Sequence, residues 1–240
     1  MDHRPTVPLR HASRGFTLFE LAVVLLVVTL LLGSILVPLR AQVQQRNIAE
    51  TQRILEETRD SLIGYAMIHG RLPRPAASAT DGVERGTPCI RDADCTGFVP
   101  WATLGTSQVD AWGKILRYSV TPVFTASGAL RLETQGDKTV RTRDGSGTPT
   151  WVVRSLPVPA VVFSQGLNNF GTTVDGIALR NASSTNIDEI DNDSNDGSRP
   201  FWARPPGSNA AGQGGDFDDQ VLWVPTGLLF ARMVQAGQLP

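Results

Sequence analysis

Residues 14–21 read Arg-Gly-Phe-Thr-Leu-Phe-Glu-Leu, and an apolar run continues from there to Val37 with three small or polar interruptions. Counted from Phe16, the run is about 22 residues long, or about 33 Å as a helix. That length is enough to cross the roughly 30 Å hydrocarbon core of a membrane. The stretch therefore predicts a long N-terminal helix whose first half is transmembrane.

The segment before this run is short and basic. Residues 1–15 carry three arginines and one aspartate, a net charge of +2. A basic leader before an apolar run is typical of an export signal, and basic residues tend to stay cytoplasmic. An ordinary signal is cut after its apolar stretch, whereas here the small residue, Gly15, precedes it. We therefore expect cleavage after Gly15, retention of the helix and export of the rest.

Glu20 is the unusual residue of the apolar segment. A carboxylate at the centre of a bilayer costs about 2.5–3.5 kcal/mol, and less near the interface. Such a group needs a partner, and cleavage after Gly15 would create one in the new amino group of Phe16. In a packed bundle, Glu20 of one subunit could face Phe16 of its neighbour.

This segment resembles the prepilin signature Gly-Phe-Thr-Leu-x-Glu-Leu, which is shared by type IV pilins and type II secretion pseudopilins. The resemblance covers only the N-terminal segment of the chain, but the motif is highly specific. It implies that a membrane aspartic protease, prepilin peptidase, cuts after Gly15 and methylates the amine of Phe16, and that Glu20 guides assembly. A plain signal anchor with a stray glutamate is the alternative.

A second, polar stretch of helix is predicted beyond the apolar run. It ends near His69, because Gly70 is a typical C-cap and Pro73 blocks continuation. Its apolar stripe recurs at steps of three and four residues, at Ile48, Thr51, Leu55, Thr58, Leu62 and Tyr65. The stripe is short, which favours packing against a sheet over a coiled-coil stem.

The remainder of the chain predicts an antiparallel sheet, because short apolar runs alternate with Gly, Pro and Asp turns. The candidate strands are Ile115–Val120, Ala129–Glu133, Trp151–Arg154, Ala160–Ser164 and Val221–Val224. Together with the long helix this predicts an α+β, pilin-like fold. The predicted divisions are a leader at 1–15, a transmembrane half-helix at 16–38, a soluble half-helix at 39–70 and a globular head at 71–240.

Two head segments add to the resemblance. Asp110-Ala-Trp-Gly-Lys-Ile-Leu-Arg-Tyr118 resembles the Asp-Pro-Trp-Gly…Tyr segment of major pseudopilins, with Ala111 in place of proline. Ser164-Gln-Gly-Leu-Asn-Asn-Phe-Gly171 resembles a Ser-x-Gly-x-Asn-x-x-Gly segment of larger pilin-like proteins, where it is structural. It is not a nucleophile elbow, because Val162 stands where the first glycine is required.

Cys89 and Cys95 are the only two cysteines. An exported head lies in an oxidising compartment, so a disulfide closing this small loop is predicted. A metal site is the weaker alternative, because two thiols with no histidine nearby are too few ligands.

The C-terminal part of the head is acidic and rich in turns. Asp191-x-Asp193-x-Asn195 alternates oxygen ligands like a calcium loop, but Asp196 replaces the glycine of an EF-hand and Trp202 its glutamate. Major pseudopilins bind calcium in a C-terminal loop, so the resemblance makes calcium the one candidate ion; no other cofactor is required. A solvated acidic loop is the alternative. The candidate ligands are Asp188, Asp191, Asp193, Asp196, Asp216, Asp218 and Asp219.

The expected function is non-enzymatic. A net charge of −1 gives no field for nucleic acid, and no catalytic constellation is assembled in the sequence. The resemblance implies a filament subunit, a minor pilin or a pseudopilin, with prepilin peptidase and other pilins as partners. It would sit in the bacterial inner membrane as a single-pass protein with its head outside. A membrane-tethered binding or adhesin domain is the alternative, although a simple tether has no use for Glu20.

Processing gives the first prediction. The mature chain should begin at Phe16 and carry an N-methylated amine, which mass spectrometry of the membrane-extracted N-terminal peptide will detect. An intact leader, or a cut after the apolar run, would refute the prepilin interpretation.

Overall fold

The computed structural model describes residues 17–168, 170–179, 184–207 and 211–239, with the side chains of 32–39 and 211 outside that description. The chain divides into two compact units, Met1–Arg46, here called the N-terminal unit, and Asn47–Pro240, here called the head. Helix α1 (Leu18–His69) begins in the first unit and ends in the second.

Both ends of α1 have local causes. Thr17 precedes the helix, and its Oγ1 accepts a hydrogen bond from the backbone N–H of Glu20 at 3.2 Å, which makes Thr17 the N-cap. At the other end Gly70 has φ 67° and its N–H donates to the carbonyl of Ala66 at 2.9 Å. A positive φ is readily adopted only by glycine, so α1 ends there.

The described strands of the head are β1 (Thr96–Phe98), β2 (Arg117–Val120), β3 (Lys138–Arg143), β4 (Pro149–Val158), β5 (Ala160–Ser164), β6 (Gly171–Thr172), β7 (Ala178–Leu179), β8 (Phe201–Trp202) and β9 (Gln220–Val224). Within the described residues they form three sheets. A four-stranded antiparallel sheet has the order β1-β2-β5-β9, a three-stranded sheet the order β4-β3-β8, and β6 pairs with β7. Strands β3 and β8 run parallel.

The described part of the head contains three further helices. They are α2 (Trp101–Leu104), α3 (Ile187–Asp193) and α4 (Thr226–Gln235), with 3-10 turns at Pro122–Thr125 and Ala211–Gln213. The amphipathic pattern of α4 buries Leu229, Phe230 and Met233 and exposes the opposite side.

Strand β5 lies at the centre of the packing, and all five of its residues are buried. Successive side chains of a strand point to opposite faces. Val162 accordingly packs in the larger core with residues of α1 and α4, whereas Val161 and Phe163 pack in a second core with Phe201 of β8. The four-stranded sheet is therefore covered on both faces.

The predicted fold class was wrong as it was stated. It required a long helix, transmembrane in its first half, packed on one antiparallel sheet. Within the described ranges no helix is both long enough and apolar enough to cross a membrane. The strands also form several sheets, one with a parallel pair. The prediction extended the apolar run from Phe16, whereas the described helix begins at Leu18 and carries charged side chains from Arg40 onward. What stands is the class α+β.

The strand predictions fail where the pattern was weakest. Ala129–Glu133 is not a strand; its C-terminal part is a turn in which the N–H of Thr134 donates to the carbonyl of Arg131 at 2.9 Å. Strand β3 was missed, because Lys138 and the arginines of this segment look like surface residues in sequence. The structure instead buries Lys138 and Val140 in this strand.

The predicted disulfide is confirmed. Cys89 and Cys95 are joined with an S–S distance of 2.01 Å, and both lie in the larger core. The loop between them is held from outside, since Lys138 Nζ donates to Asp92 Oδ1 at 2.6 Å. The bond thus fixes a loop that also contributes an ion pair.

Replacing both cysteines by alanine should lower the free energy of unfolding by about 2 kcal/mol, because the closed loop is short. Urea denaturation followed by tryptophan fluorescence measures this in the head alone, since all five tryptophans lie there. Alkylation of the exported wild-type protein without reductant should label neither cysteine. Labelling of both would contradict the bond.

Candidate functional site

A buried polar site forms where two segments of the head meet: the turn that begins at Asp110 and the stretch that begins at Ser164. These are the two head segments that resemble pseudopilin and pilin-like sequences. Asp110 Oδ1 accepts hydrogen bonds from the N–H groups of Trp112 and Lys114, both at 2.9 Å. Its Oδ2 accepts one from the hydroxyl of Ser164 at 2.6 Å. The turn after Asp110 is thereby tied to the end of β5. Gly113, at φ 79°, supplies the left-handed backbone that this turn requires.

The side chain of Lys114 extends from this turn into the loop after β5. Its ammonium donates to the carbonyls of Gln165 at 3.2 Å, Asn168 at 2.8 Å and Phe170 at 2.6 Å. The lysine is only 5% exposed. The loop therefore wraps a buried cation with backbone oxygens.

Three carboxylates gather on the other side of this loop. Oxygens of Glu189, Asp218 and Asp219 lie within 4.8 Å of one another. Glu189 comes from α3, and the two aspartates immediately precede β9. We call these three residues the carboxylate cluster.

Amide donors hold each member of the cluster. Glu189 Oε1 accepts from the N–H of Asp218 at 2.8 Å, and its Oε2 accepts from Asn186 at 3.0 Å. Asp218 Oδ2 accepts from the N–H of Asn168 at 2.7 Å. Asp219 Oδ2 accepts from Asn192 Nδ2 at 2.8 Å.

Burial changes the protonation of this site. Loss of hydration, together with the neighbouring charge of Glu189, raises the pKa of Asp218 to about 7 against the hydrogen bond from Asn168. Burial likewise raises the pKa of Asp219 well above its usual value. The pKa of Lys114 is lowered by burial, although Asp218 and the other nearby carboxylates oppose that change.

Asp188, predicted as a calcium ligand, is used otherwise. It is fully buried, with Oδ1 accepting from Arg143 at 2.6 Å and Oδ2 from Arg143 at 2.8 Å and Arg204 at 2.9 Å. Both oxygens of this carboxylate are therefore hydrogen-bonded to the guanidinium groups of Arg143 and Arg204, and Asp188 is not part of the carboxylate cluster.

The alternating pair Asp191 and Asp193 lies on α3, where residues two apart point in different directions. Asp191 accepts from Trp202 Nε1 at 3.0 Å, and Asp193 from Gln165 Nε2 at 2.8 Å.

Asp196 and Asp216 also lie apart from the cluster. Asp196 Oδ1 accepts from the hydroxyl of Ser198 at 2.6 Å, within its own turn. Asp216 is exposed, and its N–H donates to Asn186 Oδ1 at 3.3 Å. The structure therefore gathers Asp218 and Asp219 of the predicted ligands and adds Glu189, which the sequence placed only in an acidic region. Calcium binding itself stays a prediction.

Of the assembly residues, Gly15 and Phe16 lie outside the described residues, so their cleavage and methylation stay predictions. Glu20 is exposed on the first turn of α1, where a carboxylate is favoured by the helix dipole. The Thr17-x-x-Glu20 spacing is the sequence signal of this capped start, which our sequence interpretation missed.

The chain matches no family model, no curated protein and no solved structure. The function must therefore be argued from the residues and their geometry.

The pKa of Asp218 gives a test by pH. The folded head holds a proton on Asp218 up to about pH 7, whereas the unfolded chain releases it near pH 4. Wild-type stability from this residue is therefore lost as pH rises through that window. In urea denaturation, the free energy of unfolding of Asp218→Asn minus that of wild type should increase by roughly 2–4 kcal/mol from pH 4.5 to pH 7.5. Asp175→Asn, in an exposed turn, is the matched control and should show no such change with pH. If the difference between Asp218→Asn and wild type does not change with pH, the raised pKa of Asp218 is refuted.

Proposed function

We propose that this chain is a non-enzymatic, pilin-like filament subunit, either a minor pilin of a type IV pilus or a pseudopilin of type II secretion. The observation that carries the proposal is the exposed apolar surface of the N-terminal unit. Every described residue from 17 to 31 is exposed, and they include eleven large hydrophobic side chains. Leu18 is 92% exposed and Leu30 67%.

These side chains surround the helix. Each residue is rotated by about 100° from the one before, so the unbroken run from Val23 to Val28 points in every direction. A helix that is apolar all round is stable only when other apolar groups surround it. Neighbouring copies of such a helix, packed on several sides, meet that requirement, as they do in a filament.

Glu20 gives this packing a register. It is the only ionisable residue from 17 to 39. The amine that cleavage after Gly15 would create on Phe16 of a neighbour could form a charge-assisted hydrogen bond with Glu20. Because the bond requires one axial offset between subunits, it selects the stagger as well as adding stability.

The head supports a location outside the cytoplasm. The Cys89–Cys95 disulfide fits an oxidising compartment. We therefore include in the proposal that the precursor resides at the bacterial inner membrane with its head outside. Prepilin peptidase and other pilins or pseudopilins are its partners.

Ser164 lies in the segment that was compared with a nucleophile elbow. Its hydroxyl is fully buried and donates a hydrogen bond to Asp110, which supports a structural role for this residue.

Glu20→Val tests the proposal. The variant should be processed normally, yet its ratio of filament-associated to membrane-resident protein should fall about tenfold or more, because a hydrogen bond to a charged group contributes about 1.5–3 kcal/mol. The ratio is measured in cells with the cognate machinery, together with filament number. Equal incorporation would favour a membrane-tethered binding domain.

Two controls separate charge from helix capping. Glu20→Gln keeps a side chain that can complete the capping box but removes the charge, so it should assemble as poorly as Glu20→Val. Glu56→Val makes the same change on the head portion of α1, where the exposed Glu56 accepts a hydrogen bond from Gln52 at 2.9 Å. This variant should assemble normally. Normal assembly of Glu20→Gln would show that Glu20 acts through the helix cap.

A further inference from the structure

The chain uses its lysines as internal cations. It has only two, Lys114 and Lys138, beside twenty arginines. Both lysines are buried, at 5% and 1% exposure. Lys138 Nζ contacts the carboxylates of Asp92 and Asp137 and the carbonyl of Gly197. Lys114 differs, because its three described hydrogen bonds all go to backbone carbonyls.

The described residues 165–168 and 170–171 of the loop after β5 lie around Lys114. An ammonium has three N–H donors, and three carbonyls of this loop accept them. A Cβ at Gly166, where φ is 59°, would come within 2.3 Å of Asp218 Oδ1. A Cβ at Gly171, where φ is 141°, would come within 2.6 Å of Lys114 Cδ. The two glycines therefore permit close contact with the cluster and with the lysine.

Asn168 connects the ammonium to the carboxylate cluster. Its carbonyl accepts from Lys114, while its N–H donates to Asp218 Oδ2. Of the nearby carboxylates, Asp218 does most to raise the pKa of Lys114 against burial, followed by Asp110, Asp219 and Glu189. The lysine thus supplies positive charge where several buried carboxylates converge.

We propose that the Lys114 ammonium is the resident cation of the carboxylate cluster, and that the head is complete without a divalent cation. Calcium takes six to eight oxygen ligands at about 2.3–2.6 Å. Four of the six carboxylate oxygens of the cluster already accept N–H donors. The three loop carbonyls are bound to Lys114. Calcium would have to compete with these N–H donors and with the nearby Lys114 charge, so this inference opposes the calcium prediction. It holds whether or not the chain forms filaments.

The experiment is thermal unfolding of the full mature chain in detergent, followed by tryptophan fluorescence, in chelator and in millimolar calcium or magnesium. The wild-type melting temperature should be the same in all three. Lys114→Met should lower it by about 10 °C, because a buried charge cluster loses its compensating cation. In this variant calcium should restore part of the loss, since the three carbonyls are free to bind it.

Two variants make the result specific. Lys138→Met removes the other buried lysine; adding Asp218→Asn to it should raise the melting temperature no more than in wild type, because the Lys138 ammonium contacts Asp92 and Asp137 instead. Above pH 7, where Asp218 is ionised, Lys114→Met/Asp218→Asn removes one negative charge with the positive one. In chelator, Asp218→Asn should therefore raise the melting temperature more in Lys114→Met than in wild type.

Two outcomes would overturn the proposal. One is a wild-type melting temperature that rises with calcium but not with magnesium. The other is a gain from Asp218→Asn in Lys114→Met that is no larger than its gain in wild type. If Lys114→Met does not fold, the wild-type cation series and the double variant still decide between the lysine and a metal ion.

Discussion

The buried carboxylate of Asp110 is the constraint on which the head depends. It binds the N–H groups of its own turn and the hydroxyl of Ser164 at the end of the central strand. The next residue, Ala111, donates its N–H to Thr51 Oγ1 of α1 at 3.1 Å. Helix, turn and sheet therefore meet around one charged group. Burial raises the pKa of Asp110, while the Ser164 and backbone hydrogen bonds lower it.

Charge burial recurs through the head, and each case is compensated in a different way. Asp188 is held by Arg143 and Arg204, Lys138 by two aspartates, and Lys114 by carbonyls. A buried ion pair adds little net stability, because desolvation offsets its attraction, but breaking one leaves a costly lone charge. Our hypothesis is that these pairs select one arrangement of the long loops, whose apolar residues alone would permit others.

The N-terminal unit has the opposite property. The buried Asp110, Asp188, Lys114 and Lys138 bond to other groups of the head, whereas the described helix from Leu18 to Leu31 exposes large apolar side chains on every side. A subunit whose apolar surface is concentrated on an exposed helix is suited to association through that helix. That division of roles is the physical basis for proposing assembly, with specificity supplied by Glu20.

The sequence by itself determined features that depend on near neighbours in the chain. Gly70 as a helix cap, the Cys89–Cys95 loop and strand β5 could all be predicted, because glycine φ, loop closure and apolar runs are local properties. The acidic composition near the C-terminus was equally visible. Which of these acidic residues lie together could not be predicted, because Asp191 and Asp193 lie on a helix and point in different directions.

Only the tertiary structure decided which segments meet. The residue pattern of a strand shows which of its faces is buried but not which strand it pairs with. The parallel pairing of β3 with β8 could therefore not be predicted from the sequence. The cluster joins Glu189 to Asp218, and the loop after β5 closes around Lys114, over long separations in the chain. Such contacts depend on how the sheets pack, and no local pattern of residues encodes them.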